Sequence, residues 1–239
     1  VVEPLLTNYE NLEILQLNGA LDPLIPIDRA QGTTDLLDTL GLRFQAWMLD
    51  NRGHEAGGYA YDCVYRDLPN RVRVVNPARV RYTVDPAMTV IDPETGLELV
   101  HDRAYWVSGI VVADQAMHGT VDASSLALEQ RGVDQVLRTD ERYEGGDDGR
   151  DLCGPNPAIT TGDTWRYRAI GWIVKDDAPR ENTLEVTLTN LAAATFDMAR
   201  AGLGGGVAAR LQVNTDTDAA IVLTGLEPGQ AVTLGGATV

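Results

Sequence analysis

The spacing of apolar residues divides the chain into two stretches of different character. Residues 13–18 form a short apolar run that ends at Gly19, which is typical of a buried strand entering a turn. Residues 27–40 carry apolar side chains at helical spacing and stop before Gly41, so they predict a helix. Residues 43–49 predict a second strand. A strand, a helix and a strand with short links indicate a βαβ unit with parallel strands.

From about residue 61 the pattern changes to short strand-like runs separated by turn residues such as Asn-Pro, Asp-Pro and Glu-Pro-Gly. Runs at this spacing predict an antiparallel sandwich or jelly roll, and one helix-like stretch, residues 191–202, is expected to cover a sheet edge. We therefore expect two domains, an α/β part over residues 1–60 and an all-β domain over residues 61–239. The runs are residues 71–75, 80–84, 105–112, 165–174, 184–188, 209–213, 220–223 and 231–234.

Composition narrows the classes of protein to which the chain can belong. Its 239 residues are 44% apolar and 23% charged, which favours a folded globular protein. A net charge of −16 argues against a nucleic-acid partner, whose phosphates are bound mainly by lysine and arginine. No apolar run approaches the ~18 residues that a membrane-spanning helix needs.

The start of the chain and its two cysteines suggest an exported, processed protein. The sequence begins Val-Val-Glu-Pro without an initiator methionine, so we expect a secreted or periplasmic product from which any targeting segment has been removed. In such a protein Cys63 and Cys153 are expected to form a disulfide. The alternative is two unrelated buried thiols. No cysteine and histidine spacing suggests a metal site, and nothing calls for a cofactor.

The candidate chemistry lies where the two predicted strands end. Asp22 follows the first strand, and His54 follows the second in the loop Asp-Asn-Arg-Gly-His. If the strands are parallel neighbours, both side chains emerge at the same edge of the sheet. A carboxylate there can hold the imidazole Nδ1–H and stabilise the charged ring during proton transfer. Taken singly, Asp22 could instead cap a helix, and His54 could be an ordinary loop histidine.

The stretch Gly-Ala-Leu-Asp-Pro-Leu-Ile-Pro, followed by a helix, a strand and Gly-His, resembles the end of an α/β-hydrolase catalytic domain. The resemblance covers about residues 10–60. It implies that residues 1–60 are the last βαβ unit of an α/β-hydrolase sheet. It also implies that Asp22 is the acid and His54 the general base of a catalytic triad.

The chain departs from that family in having no G-x-S-x-G nucleophile motif. Its only serines, Ser108, Ser124 and Ser125, come after His54, whereas the family places its serine before the acid. We therefore expect the nucleophile to lie on an upstream segment or on a separate, associated polypeptide chain. The chain alone is then expected to be inactive.

The sequence thus predicts a serine hydrolase that cleaves an ester or amide bond through an acyl-enzyme. Its substrate would be a small molecule or a polymer. Tyr59 and Tyr61, just after His54, could reach the rim of the site. The alternative is that the protein is not an enzyme but a binding module. In that case its β-sandwich binds a glycan or polymer, and the first sixty residues are an inert remnant.

Overall fold

A computed structural model describes residues 3–55, 74–129, 133–144, 164–174 and 179–238. These residues are mainly β, with fourteen strands and a single α-helix, α1, at Ile27–Thr39. Short 3₁₀ helices lie at Glu3–Tyr9 and Pro86–Met88. Within these ranges no helix is long and apolar enough to cross a membrane. The strands are β1 (Ile14–Gly19), β2 (Phe44–Leu49), β3 (Arg79–Val84), β4 (Val90–Ile91), β5 (Glu98–Leu99), β6 (Val107–Val112), β7 (Gly119–Ser125), β8 (Val133–Glu144), β9 (Thr164–Val174), β10 (Thr183–Thr189), β11 (Leu191–Asp197), β12 (Ala209–Thr215), β13 (Ala220–Thr224) and β14 (Val232–Thr238).

The chain forms two compact units, each assembled from separate segments. Unit 1 comprises residues 1–11, 74–134 and 174–239, and unit 2 comprises residues 12–73 and 135–173. The predicted boundary between residues 60 and 61 falls among residues that the structure does not describe. That boundary stays a prediction.

Unit 2 contains the predicted strand, helix and strand. β1 and β2 pair in parallel over their whole length, and α1 buries Ala30 and Leu37. The helix stops at Gly41, whose φ of 66° lies in the left-handed region that glycine adopts without strain. There the Gly41 N–H donates to the Asp38 carbonyl, and the Leu42 N–H donates to the Leu37 carbonyl. These two bonds satisfy carbonyls left open at the helix end, so the predicted glycine stop is confirmed.

The predicted fold class, an α/β-hydrolase fragment followed by an all-β sandwich, is wrong. A doubly wound α/β sheet continues through parallel strands linked by helices. In unit 2 the next strand beyond β2 is β9, which runs antiparallel to it, and β8 follows at the edge. α1 is the one α-helix in the described part of the chain. The protein is mainly β.

Unit 1 forms a β-solenoid. The predicted antiparallel sandwich over residues 61–239 is therefore also wrong. β10 and β11 lie in different sheets, and β12 and β13 then pair in parallel with β10 and β11 respectively. β14 returns to pair in parallel with β12. The chain thus re-enters each sheet in the same direction, as in stacked solenoid repeats. Antiparallel partners complete the sheets, with β7 and β3 beyond β10 and β6 beside β11.

The corner of this winding is made by one residue, Asn190, between β10 and β11. Its φ of 52° lies in the left-handed region, which asparagine tolerates better than most side chains. Residues 191–202, predicted as a helix, instead form β11 and the turn after it. Leu191, Ala194 and Phe196 face the core, and this tertiary environment overrides the helix propensity of the three alanines.

The core of unit 1 lies between its two main sheets and uses the inward-facing residues of each strand. Alternation along β7 and β10, with buried residues at every second position, is the pattern of strands that pack on one face. The bulkiest fully buried members are Trp106, Phe196, Leu184, Leu188, Leu191, Met198, Leu203 and Val80.

Residues 3–11 cover the free edge of β3. The Asn8 side-chain amide donates to the Thr83 carbonyl at 3.0 Å, and its oxygen accepts from the Thr83 N–H at 2.6 Å. Asn11 Nδ2 donates to the Arg79 carbonyl at 2.9 Å. Side-chain amides therefore take the place of a neighbouring strand and satisfy main-chain groups that an open edge would expose.

Candidate active site

Asp22 and His54 lie where β1 and β2 end, as the parallel pairing requires. The last paired residues of the two strands are Gly19 and Leu49. Asp22 follows in the turn after β1, and His54 follows in the loop after β2. The sequence prediction that the two side chains emerge at one edge of the sheet is therefore confirmed.

The two side chains meet through a direct contact. His54 Nδ1 lies 2.9 Å from Asp22 Oδ2, which is hydrogen-bond distance. The Asp22 side chain is only 5% exposed, whereas that of His54 is 59% exposed. The carboxylate is thus fixed inside the loop, and no described residue hydrogen-bonds to His54 Nε2. Asp22 therefore contacts the Nδ1 side of a largely exposed imidazole ring.

Asp22 is held as a carboxylate by several hydrogen-bond donors. Its Oδ1 accepts from the main-chain N–H groups of Leu24 at 2.8 Å and Ile25 at 3.1 Å. Burial opposes its ionisation, but the hydrogen bonds from Ile25, His54 and Leu24 outweigh that penalty and lower the pKa of Asp22. The same carboxylate therefore shapes its own turn and orients the histidine.

Gly19 allows the two loops to meet. A Cβ at this position would lie 2.2 Å from the carbonyl oxygens of both Arg52 and Gly53. The Leu21 N–H also donates to the Arg52 carbonyl at 2.8 Å. Only a residue without a side chain permits this approach, so Gly19 sets the distance between the Asp22 turn and the His54 loop.

The base of the His54 loop is anchored to the antiparallel part of the sheet. The Asp50 N–H donates to the Thr164 carbonyl at 2.9 Å, and its carboxylate accepts from Thr164 Oγ1 at 2.7 Å. Arg142 on β8 reaches the same carboxylate at 2.5 Å. These contacts were not predicted from the sequence, although the position of Asp50, an acidic residue directly after a predicted strand, was a usable signal.

No protein-family model, curated protein or solved structure matches the chain. The resemblance to α/β-hydrolases drawn from residues 10–60 is therefore wrong: the chain is mainly β, forms a solenoid and matches no hydrolase family. What Asp22 and His54 can do chemically therefore depends on their geometry alone.

The remaining predicted site residues are not part of the described site. Tyr59 and Tyr61, expected at the rim, and Cys63 and Cys153, expected to form a disulfide, all lie outside the described residues. Their roles stay predictions.

The three serines lie on strands of unit 1. Ser108 is on β6, and Ser124 and Ser125 are on β7. Ser125 is fully buried and donates its hydroxyl to the Ala201 carbonyl at 2.6 Å. Ser125 therefore has a structural role in the core of unit 1.

The described ranges contain no group of three or more histidine, cysteine or acidic side chains close enough to hold a metal ion. A second histidine–aspartate pair lies in unit 1, where His118 Nε2 is 3.5 Å from Asp85 Oδ2. Asp85 also caps the following 3₁₀ helix by accepting from the Ala87 N–H at 2.9 Å. The Asp85 carboxylate therefore stabilises a local turn, and its 3.5 Å contact with His118 is longer than a hydrogen bond of ordinary length.

Proposed function

We propose that the protein supplies the acid and the general base of a serine hydrolase, with Asp22 orienting His54. The observation that carries the proposal is the 2.9 Å contact between the buried Asp22 carboxylate and Nδ1 of His54, whose side chain is 59% exposed. A histidine held through Nδ1 carries its reactive lone pair on Nε2, where it can accept a proton from a hydroxyl.

In the proposed mechanism His54 Nε2 removes the proton from a serine hydroxyl while the oxygen attacks an ester or amide carbonyl. The protonated imidazole is stabilised by ionised Asp22, and it then returns the proton to the leaving group. A water molecule, activated in the same way, hydrolyses the acyl-enzyme. The lowered pKa of Asp22 supports this role, because the carboxylate stays charged at neutral pH and keeps Nδ1 protonated.

The proposal places the serine on another segment or on an associated polypeptide. Ser108 lies on β6 and Ser124 and Ser125 lie on β7, and the Ser125 hydroxyl donates to the Ala201 carbonyl. The substrate class at this level is an ester or amide of a small molecule or a polymer. The site needs no cofactor for this chemistry.

The test uses the native preparation together with any polypeptide that accompanies the chain. Hydrolysis of 4-nitrophenyl acetate is compared for the wild type, His54→Ala and His101→Ala, which replaces an exposed histidine of unit 1. We expect kcat to fall by about 10³-fold or more for His54→Ala, because the general base is lost, and to stay at the wild-type value for His101→Ala.

A fluorophosphonate probe, which labels activated serines, locates the nucleophile in the same preparation. Labelling outside this chain that disappears in His54→Ala supports the proposal. Unchanged turnover in His54→Ala would overturn it and leave the polymer-binding alternative.

A further inference from the structure

The turn that carries Asp22 also carries three large aliphatic side chains that face solvent. Leu21 is 67% exposed, Leu24 is 68% exposed and Ile25 is 44% exposed. Single exposed aliphatic residues are ordinary on protein surfaces, but a local group of them marks an interaction site. Along the chain this group flanks Asp22, the residue proposed to orient the general base.

The turn is fixed in a conformation that keeps these side chains outside the core of unit 2. Asp22 Oδ1 accepts from the main-chain N–H groups of both Leu24 and Ile25. Pro23 and Pro26 restrict the backbone on either side, and α1 begins directly after Pro26. A ligand that contacts the aliphatic group therefore meets a surface already ordered, which lowers the entropic cost of binding.

One carboxyl group links this surface to the reactive histidine. The oxygen Oδ1 of Asp22 holds the main chain of the aliphatic residues, and the oxygen Oδ2 holds His54 Nδ1. Because one carboxyl group contacts both, the turn that carries the aliphatic surface lies beside the ring of His54. Charged or strongly hydrated groups would lose water there without gaining a partner.

We propose that Leu21, Leu24 and Ile25 select substrates with an apolar acyl group, which packs on this surface while the carbonyl reacts at His54. The inference rests on the proposed function and adds the substrate class. Each methylene that becomes buried on the surface is expected to raise kcat/KM by about fourfold. The three residues determine specificity, and none of them takes part in proton transfer.

The experiment measures kcat/KM of the native preparation for 4-nitrophenyl acetate, butyrate, hexanoate and octanoate. The double variant Leu24→Ala/Ile25→Ala is compared with the wild type and with Ile173→Ala, a residue of β9 that is likewise 44% exposed. In the wild type we expect kcat/KM to rise with acyl length. In the double variant the ratio of octanoate to acetate falls at least about tenfold, and in Ile173→Ala it keeps the wild-type value.

Two results would overturn the inference. An unchanged octanoate-to-acetate ratio in the double variant means that the aliphatic group does not touch the acyl chain. An equal loss for all four esters, together with loss of an accompanying polypeptide from the preparation, means that the surface binds that polypeptide instead. In both cases His54→Ala still abolishes turnover of the acetate ester. If His54→Ala leaves acetate turnover intact, the proposed function itself has failed.

Discussion

Among the described residues each unit holds one histidine–aspartate pair, and the two pairs are built differently. In unit 2 the Asp22 carboxylate is 5% exposed and meets Nδ1 of His54 at 2.9 Å. In unit 1 the Asp85 carboxylate is 26% exposed and lies 3.5 Å from Nε2 of His118. The carboxylate of the first pair contacts Nδ1, whereas that of the second contacts Nε2, the ring nitrogen farther from the backbone.

The difference shows that the presence of a carboxylate beside a histidine says little about catalysis. Nε2 is the nitrogen farthest from the backbone, so it can reach a substrate, while Nδ1 is suited to being held by the protein. Asp22 is also fixed by two main-chain donors, whereas the other oxygen of Asp85 caps a short helix. Of the two pairs, the one in unit 2 combines a carboxylate fixed by main-chain donors with a contact through Nδ1.

The largest expected difference between the pairs follows from replacing each carboxylate by an amide. Asp22→Asn keeps an oxygen for the turn but can present an N–H to His54 Nδ1. The histidine then carries its proton on Nε2, where it cannot act as a base. We expect kcat for ester hydrolysis to fall by about 10³–10⁴-fold in Asp22→Asn. In Asp85→Asn kcat should change by less than about twofold.

Both variants are measured in the native preparation, with circular dichroism to show that they remain folded. Equal losses of kcat in the two variants would remove the distinction between the pairs.

A glycine lies close to each pair, and the two glycines test the role of loop geometry. In Gly19→Ala the new Cβ would lie 2.2 Å from two main-chain oxygens, so the His54 loop must move. A displacement of about 1 Å is expected to lower kcat about 10²-fold. In Gly119→Ala the Cβ would meet the side chain of Leu191 at 2.5 Å. That contact strains the core of unit 1 by about 1–3 kcal/mol and leaves turnover intact.

Gly32→Ala on α1 is the matched control, because a Cβ there meets nothing within 4 Å. Turnover assays combined with urea unfolding separate the two kinds of effect. Wild-type turnover in Gly19→Ala would show that the close approach does not position His54.

The loop that carries His118 is held by Asn190, which offers a further contrast. The Asn190 side chain accepts from the Asp114 N–H and donates to the carbonyls of Asp114, Met117 and His118. Asn190→Ala removes these bonds and places alanine at positive φ, so the free energy of unfolding should fall by about 2–4 kcal/mol. Ester turnover by the folded protein should not change.

Asn190→Gly removes the same bonds without the backbone penalty and should be destabilised less. Urea unfolding followed by tryptophan fluorescence measures both variants. A specific loss of turnover in either folded variant would tie the unit 1 pair to catalysis.

The smallest expected effect concerns pH. Because the pKa of Asp22 is lowered from its ordinary value of 3.8, ionised Asp22 stabilises the folded state. That contribution is fully present above the ordinary value and is lost as the pH falls through the lowered one. The difference in unfolding free energy between the wild type and Asp22→Asn should therefore be constant near neutral pH and shrink in acid. A difference that grows as the pH falls would contradict the hydrogen bonds assigned to Asp22.

The pairing of Asp22 with His54 could be predicted from the sequence because it depends on local rules. Two short apolar runs and a helix that stops at Gly41 indicate parallel strands, and parallel strands end at one edge. The contacts that hold the two loops in place could not be predicted from the sequence. Nothing in the pattern shows that Gly19 touches the Arg52 and Gly53 carbonyls, or that Thr164 and Arg142 return to Asp50 from more than ninety positions away.

The solenoid could not be predicted, because strand pairing leaves little trace in local hydrophobicity. The alternation of buried and exposed residues along β10 and β12 does not distinguish a parallel from an antiparallel pairing, and the two strands pair in parallel. The alanines of β11 led to the prediction of a helix where the structure has a strand. The charged residues of β8 gave no strand-like pattern, so that strand was not predicted. The family resemblance was misleading for a related reason: the βαβ pattern is short and does not show that β9 and β8 continue the sheet in antiparallel fashion.

The interleaving of the two units has a consequence for the order in which the chain folds on the ribosome. All of unit 2 has been synthesised once residue 173 has emerged, whereas β10 to β14 of unit 1 are still to come. During that interval β3 and β7 can pair only with each other, as two antiparallel strands. Asn8 and Asn11 cover the outer edge of β3. The edge of β7 that awaits β10 is then open to a neighbouring nascent chain. Translation speed over the codons for β10 to β14 should therefore influence the yield of correctly assembled protein.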